Sequence, residues 1–255
     1  MPDIYWIAAS FFIIALVYAS VGFGGGSSYL AIMALFDVQY LLMRSTSLLC
    51  NILVVAGGTY IFYKRKHLSF KRVLPFALAS IPMSFLGGLW PLKQEVFTIL
   101  LGLTLLATAC VMWFFNAGRY TSSSQTQHRF EKGVAFQLLT GGSIGLLSGL
   151  VGIGGGIFLS PVLFFTRWGT AQEIAAASSV FILINSISGL SGQLLQGNLI
   201  LDFNFVAPLL LAVSIGGQIG SRMGATIFNQ LTIKRLTAIL ILIVSLNILK
   251  NYLGA

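Results

Sequence analysis

The stretch Val21-Gly22-Phe23-Gly24-Gly25-Gly26-Ser27-Ser28 places four glycines in five positions inside an apolar run. It recurs 130 residues later as Val151-Gly152-Ile153-Gly154-Gly155-Gly156-Ile157-Phe158. A glycine inside a helix costs about 1 kcal/mol against alanine, so both stretches predict a helix that breaks. Apolar sequence continues on either side of each break, so the breaks fall within the apolar layer. Backbone can leave the helical ladder at membrane depth only where protein or a polar cavity satisfies the freed groups. Matched breaks in two halves of one chain are a sequence pointer to a transporter's binding site.

Composition supports a membrane class. The chain is 56% hydrophobic and only 8% charged, where a soluble domain carries about 25% charged residues. Its 255 residues make one membrane domain. The net charge of +9 sits in short loops, so it reads as an orientation signal and not as a nucleic-acid footprint. The opening Met-Pro-Asp-Ile-Tyr-Trp has no basic n-region and is not read as a cleaved signal peptide. Cys50 and Cys110 stand apart from each other and from histidine, which predicts two buried small hydrophobes and neither a metal nor a cofactor site.

Hydrophobic runs cover residues 5–36, 46–63, 73–91, 96–115, 133–165, 174–197, 205–222 and 236–252. A crossing needs about 20 residues. The runs at 5–36 and 133–165 would make about 48 Å of helix against a core of about 30 Å. Folded back at the glycines, each becomes a re-entrant hairpin. The repeat extends further, because Ser45 through Asn51 matches Ser179 through Asn185, Pro75 matches Pro208 and Gly87 matches Gly220. The prediction is an all-α integral membrane protein of two inverted-topology repeats, each a glycine-broken re-entrant hairpin plus three transmembrane helices. The repeats span 1–115 and 133–255, joined by a polar cytoplasmic linker at 116–132 that contains His128. His128 and His67 both read as solvated loop histidines.

Loop charge favours that topology. With two hairpins, one side of the membrane holds only Arg44, Lys93 and Lys250, and the other holds the remaining basic residues of the 15. With single crossings in place of hairpins the split is far more even. The first is the cleaner positive-inside bias, and it puts both termini outside. Arg44 and Arg167 flank the glycine-adjacent helices. Either could draw anions inward, but an interfacial arginine snorkelling to the headgroups is the simpler reading. Stripes of small residues at Gly141, Gly145 and Gly149, at Gly216, Gly220 and Gly224, and at Ser80, Ser84 and Gly88 predict close helix contacts.

Candidate site residues follow from helix-end physics. The N-terminus of a half-helix presents unpaired N–H groups and partial positive charge, both favouring an anion. Gly24, Gly25 and Gly26 with Ser27 and Ser28 form one such end. Gly154, Gly155 and Gly156 form the other, followed by Ile157 and Phe158, so one wall should be polar and the other apolar. Asn51 and Asn185, at matched positions of the next helix, complete the set. The six carboxylates, Asp3, Asp37, Glu95, Glu131, Glu173 and Asp202, all fall at predicted ends or loops, which leaves no evident proton relay.

Two other readings are weaker. The glycines lack the third position of G-x-G-x-x-G, and no strand precedes them. Gly189-Leu190-Ser191-Gly192 resembles the serine motif of rhomboid-like intramembrane hydrolases, but no histidine follows His128 to serve as base. A non-transporting scaffold would leave twin breaks unexplained.

The paired Val21-Gly-Phe-Gly-Gly-Gly and Val151-Gly-Ile-Gly-Gly-Gly-Ile-Phe-Leu-Ser-Pro161, in duplicated halves, resemble the TauE/SafE family of sulfite exporters. The resemblance covers nearly the whole chain. It implies a multi-pass permease of the inner (cytoplasmic) membrane for sulfite, sulfonates or related sulfur-containing anions, and not an enzyme. Ser27-Ser28-Tyr29 depart from the apolar residues and proline usual in the family's first motif.

Overall fold

The computed structural model describes residues 3–20, 22–114, 133–197, 199–223 and 230–253. The linker at 116–132, His128 and Gly224 lie outside the described residues. The elements are α1 (Asp3–Ser20), α2 (Gly26–Leu35), α3 (Tyr40–Lys64), α4 (Phe70–Leu89) and α5 (Gln94–Phe114), then α6 (Val134–Val151), α7 (Gly156–Phe165), α8 (Ala171–Leu195), α9 (Phe203–Met223) and α10 (Gln230–Leu253). Each half therefore repeats one pattern: a long helix, a ten-residue helix and three more long helices.

The glycines make the breaks as expected. Gly25 and Gly155, the residues that cap α2 and α7, adopt φ of +93° and +78°. An L-residue forced into that left-handed region loses about 1–2 kcal/mol. α2 and α7 are only about 15 Å long, half of a hydrocarbon core. Among the described residues, six helices are long and apolar enough to cross a membrane: α3, α4, α5, α6, α8 and α9. The hydrophobic runs predict α10 as a crossing and α6 as one leg of a hairpin; α6 is long and apolar enough to cross, and the described apolar stretch of α10 is Ile241–Lys250.

Close contacts give the helix directions. Gly141, Gly145 and Gly149 of α6 face the Phe76, Ser80 and Ser84 carbonyls of α4 in step, so these helices run parallel. Gly216 and Gly220 of α9 face the Phe12 and Leu16 carbonyls of α1 in the same way. A Cβ at Gly145 would lie 2.5 Å from the Ser80 oxygen, so the stripe is what lets the two backbones touch. α3 and α8, by contrast, run antiparallel. Thr59 and Ser179 hydroxyls meet at 2.9 Å near one end, and Ser45 donates to Gln193 Oε1 at 2.9 Å near the other.

The packing keeps the same form when the halves are exchanged. α1 on α9 corresponds to α6 on α4, α3 on α9 corresponds to α8 on α4, and α3–α8 and α5–α10 pair counterparts with each other. Two cores result, the larger around α1, α2, α5 and α10 and the smaller around α7 and α8. Of the two cysteines, Cys50 is buried, but Cys110 is exposed on the outer face of α5, which corrects the expectation for it.

Candidate functional site: two glycine breaks meeting on Asn51

The two breaks touch. Asn51, fully buried on α3, donates from Nδ2 to the Ile153 carbonyl at 3.1 Å. Its side chain also fills the space a Cβ would need at Gly24, Gly26 and Gly154. One turn earlier, Ser47 Oγ lies 2.8 Å from the Gly152 carbonyl and 3.2 Å from that of Gly26. A Cβ at Gly26 would stand 2.5 Å from the Ile153 oxygen, so glycine is what allows the first break to lie against the second. Two residues of one α3 face thus satisfy the Gly152 and Ile153 carbonyls that leave the helical ladder in the second half, as backbone at membrane depth requires, and Ser47 also touches the first carbonyl of α2.

The candidate residues differ in what they do there. Gly25 packs on Ile14 and the Tyr29 ring, and Gly155 on Ile144 and Phe181. Gly156 abuts Ile182. Ser27 is buried at the first turn of α2. Ser28 Oγ donates to the Tyr18 hydroxyl on α1 at 2.9 Å, which ties the α2 start to α1. Asn185 is buried with neither side-chain atom hydrogen-bonded; its backbone carbonyl accepts from Ser84 Oγ at 2.8 Å. Asn51 and Asn185 are therefore matched in sequence but not in bonding.

Ser178 stands with Asn185 in the sequence pattern, but the hydroxyls of Ser148 and Ser186 around the second break have no sequence signal. Ser186 Oγ would be 3.2 Å from a Cβ at Gly154, and Ser148 Cβ would be 3.4 Å from one at Gly155. Ser148, Ser178 and Ser186 are buried with unpartnered hydroxyls. They come from α6 and α8 and not from the half-helix after the break, so the wall expected to be apolar carries polar groups from its neighbours.

Arg44 requires a correction. Its place at the edge of a hydrophobic run predicts an interfacial arginine snorkelling outward. It is 0% exposed, and Nη2 donates to the Gly87 and Gly149 carbonyls at 3.3 and 3.2 Å. α3 begins at Tyr40 and not near residue 46, so Arg44 lies inside the helix. Arg167, in contrast, is exposed after α7.

The other features lie away from the breaks. A cavity of about 340 Å³ at the end of the bundle is lined by Asp37, Tyr40, Gln94, Thr98 and Asn247 among others. It has a carboxylate and no basic residue, which suits an anion poorly. Ser191 is exposed on α8 with its hydroxyl on the Ile187 carbonyl at 2.8 Å. Glu173 closes a capping box with Thr170, accepting from the Thr170 N–H at 2.8 Å, and pairs with Arg72 at 3.8 Å. Of the remaining described carboxylates, Asp3 and Glu95 begin helices, and Asp37 and Asp202 lie between them.

The model for the sulfite exporter TauE/SafE family matches residues 7–248. The chain belongs to this family. A "probable membrane transporter protein", y4hK of Sinorhizobium fredii, is 37% identical over 243 residues, covering 95% of this chain and 97% of that protein. A second, YunE of Bacillus subtilis, is 26% identical over 227 residues, covering 80% of this chain and 78% of its own. No solved structure matches the chain. As a TauE/SafE member it is a multi-pass membrane transporter of a small-molecule substrate, and its broken helices lie where the fold brings both halves together.

Proposed function

We propose that the protein carries small sulfur-containing anions, such as sulfite, sulfonates or thiosulfate, across the cytoplasmic membrane through the point where the two glycine breaks meet. The observation that carries this reading is the contact of Asn51 with Ile153, Gly24, Gly26 and Gly154. It gathers two half-helix N-termini, each with N–H groups lacking intrahelical partners, around one polar side chain. The binding set is Gly24, Gly25, Gly26, Ser27, Ser28, Asn51, Gly154, Gly155, Gly156 and Asn185.

The halves, residues 1–115 and 133–255, act in this reading as inverted repeats with re-entrant hairpins. The antiparallel course of α3 and α8 supports it, because these are repeat counterparts. So does the course of α1, which follows α9 while α2 turns back toward the start of α3. Such repeats can rock against each other about a fixed central site.

Membrane potential, negative inside, drives anions outward by about 2.3 kcal/mol per charge per 100 mV, so no proton or sodium gradient is needed. A hydrolase reading has little support, since Ser191 donates to its own helix and faces outward. The test is uptake of labelled sulfite, methanesulfonate and thiosulfate into proteoliposomes. Saturable uptake of at least one, absent from empty vesicles, is expected. Uptake of none would refute the assignment of sulfur-containing anions.

A further inference from the structure

Arg44 carries a charge that no carboxylate among the described residues neutralises, with only the partial negative charge of two helix C-termini beside it. The guanidinium is fully buried, and its Nε and Nη1 have no hydrogen-bond partner. Its two acceptors, the Gly87 and Gly149 oxygens, are neutral carbonyls near the C-terminal ends of α4 and α6. The salt bridge among the described residues joins Arg72 and Glu173, whose place at the start of α8 is the end of the bundle away from Arg44. A buried cation left without a counter-charge is strongly unfavourable, more so at membrane depth.

A second unpartnered donor lies beside this helix. Gln193 on α8 is buried, its Oε1 accepts from Ser45 Oγ at 2.9 Å, and its Nε2 has no partner. Ser45 is the residue after Arg44. Gly192, the residue before Gln193, packs on Gly88 and Leu89, next to the Gly87 carbonyl that Arg44 reaches. The α3, α4 and α8 crossing therefore holds three unfilled N–H-bearing nitrogens with no carboxylate bonded to them. Nη2 belongs to both edges of the guanidinium and is held by the carbonyls, so Nη1 offers a single charge-assisted donor to an oxyanion. The repeat counterpart of Arg44 is Ser178, so the charge exists in one half only.

We propose that Arg44, assisted by Gln193, binds the transported oxyanion at a station about two helical turns along α3 from Asn51. This rests on the anion-transport reading above and adds its charged contact. The anion accepts from Arg44 Nη1 and from Gln193 Nε2, and it neutralises the guanidinium while bound. Nη2 stays on the two carbonyls, which fixes the plane of the guanidinium and so the direction of Nη1.

The test is thermal unfolding of the purified full-length protein in detergent, with sodium sulfite, sodium thiosulfate or sodium methanesulfonate titrated against sodium chloride at constant ionic strength. A ligand that binds only the folded state raises the melting temperature in a saturable way. Wild type is expected to show that rise with at least one oxyanion. Arg44→Gln should lose it, while Arg44→Lys and Gln193→Ala should raise the half-saturating concentration by about tenfold or more, the scale of one charge-assisted hydrogen bond. A merely structural arginine would lower the melting temperature equally with and without the anion and leave half-saturation unchanged. If Arg44→Gln fails to fold, wild-type half-saturation in both Arg44→Lys and Gln193→Ala overturns the proposal. A saturable wild-type response that persists in Arg44→Gln overturns it while leaving the transport reading intact. No response in wild type, together with no proteoliposome uptake, overturns both.

Discussion

Asn51 on α3 of the first half donates its side-chain amide to the Ile153 carbonyl of the second half across 3.1 Å. One residue thereby holds open backbone of its partner repeat while lying against the glycines of its own. Replacing it with alanine leaves the Ile153 oxygen buried without this donor, a cost of about 1–3 kcal/mol. Asn51→Ala should therefore lower both melting temperature and flux. Asn185→Ala removes no protein hydrogen bond from its side chain, so it should leave the melting temperature nearly unchanged and act on flux alone. Differential scanning of the two purified variants beside proteoliposome uptake checks this, and equal melting losses would contradict it.

The breaks themselves should not tolerate a side chain. Gly25 and Gly155 have positive φ, and a Cβ at either would come within 2.9 Å and 2.8 Å of Ile14 and Ile144 respectively. Gly25→Leu and Gly155→Leu should abolish transport while membrane insertion survives, because the apolar spans are untouched. Normal membrane expression with uptake at the level of empty vesicles is the expected pair of results. Transport retained in both variants would mean the breaks do not shape the pathway.

Ser27 and Ser28 are neighbours with separable roles. Ser28 is bonded to Tyr18, so Ser28→Ala should cost about 0.5–1.5 kcal/mol of stability in addition to weakening half-saturation for the anion. Ser27→Ala should weaken half-saturation with little change in melting temperature. Ile157→Ala, which removes no donor, should affect packing only. A strong change of half-saturation in Ile157→Ala with none in Ser27→Ala would contradict the donor role of the α2 start.

Much of this arrangement was legible in the sequence, and the exceptions have physical causes. The breaks could be read because clustered glycine is unfavourable in a helix wherever that helix packs. The stripes at Gly141, Gly145 and Gly149 could be read because their spacing alone defines a face, and that face meets Phe76, Ser80 and Ser84. Arg44 could not be placed. Its charge truncates the hydropathic run near residue 46, and its burial depends on Gly87 and Gly149 in two other helices. The same holds for the hydroxyls of Ser148 and Ser186, which reach the second break from α6 and α8. Thr170-x-x-Glu173 was a readable signal, since that spacing is a capping box, and it accounts for a carboxylate that otherwise invites a proton-site reading.

Membrane orientation gives an independent check on the inverted repeat. Both termini and the start of α3 should face outside, with residues 64–72 and the linker in the cytoplasm. In a background with Cys50→Ala and Cys110→Ala, an impermeant thiol reagent applied to intact cells should label Asp3→Cys and spare Ser123→Cys. The opposite pattern would falsify the inverted arrangement.

The central claim is that an anion moves through this site without a coupled proton or sodium ion. The most direct measurement is flux of labelled sulfite, methanesulfonate and thiosulfate in proteoliposomes under an imposed potential, with pH and sodium equal on both sides. The account predicts flux of at least one of them that reverses direction when the sign of the potential is reversed and persists at zero pH gradient. Flux that ignores the potential and appears only with a pH gradient would contradict it.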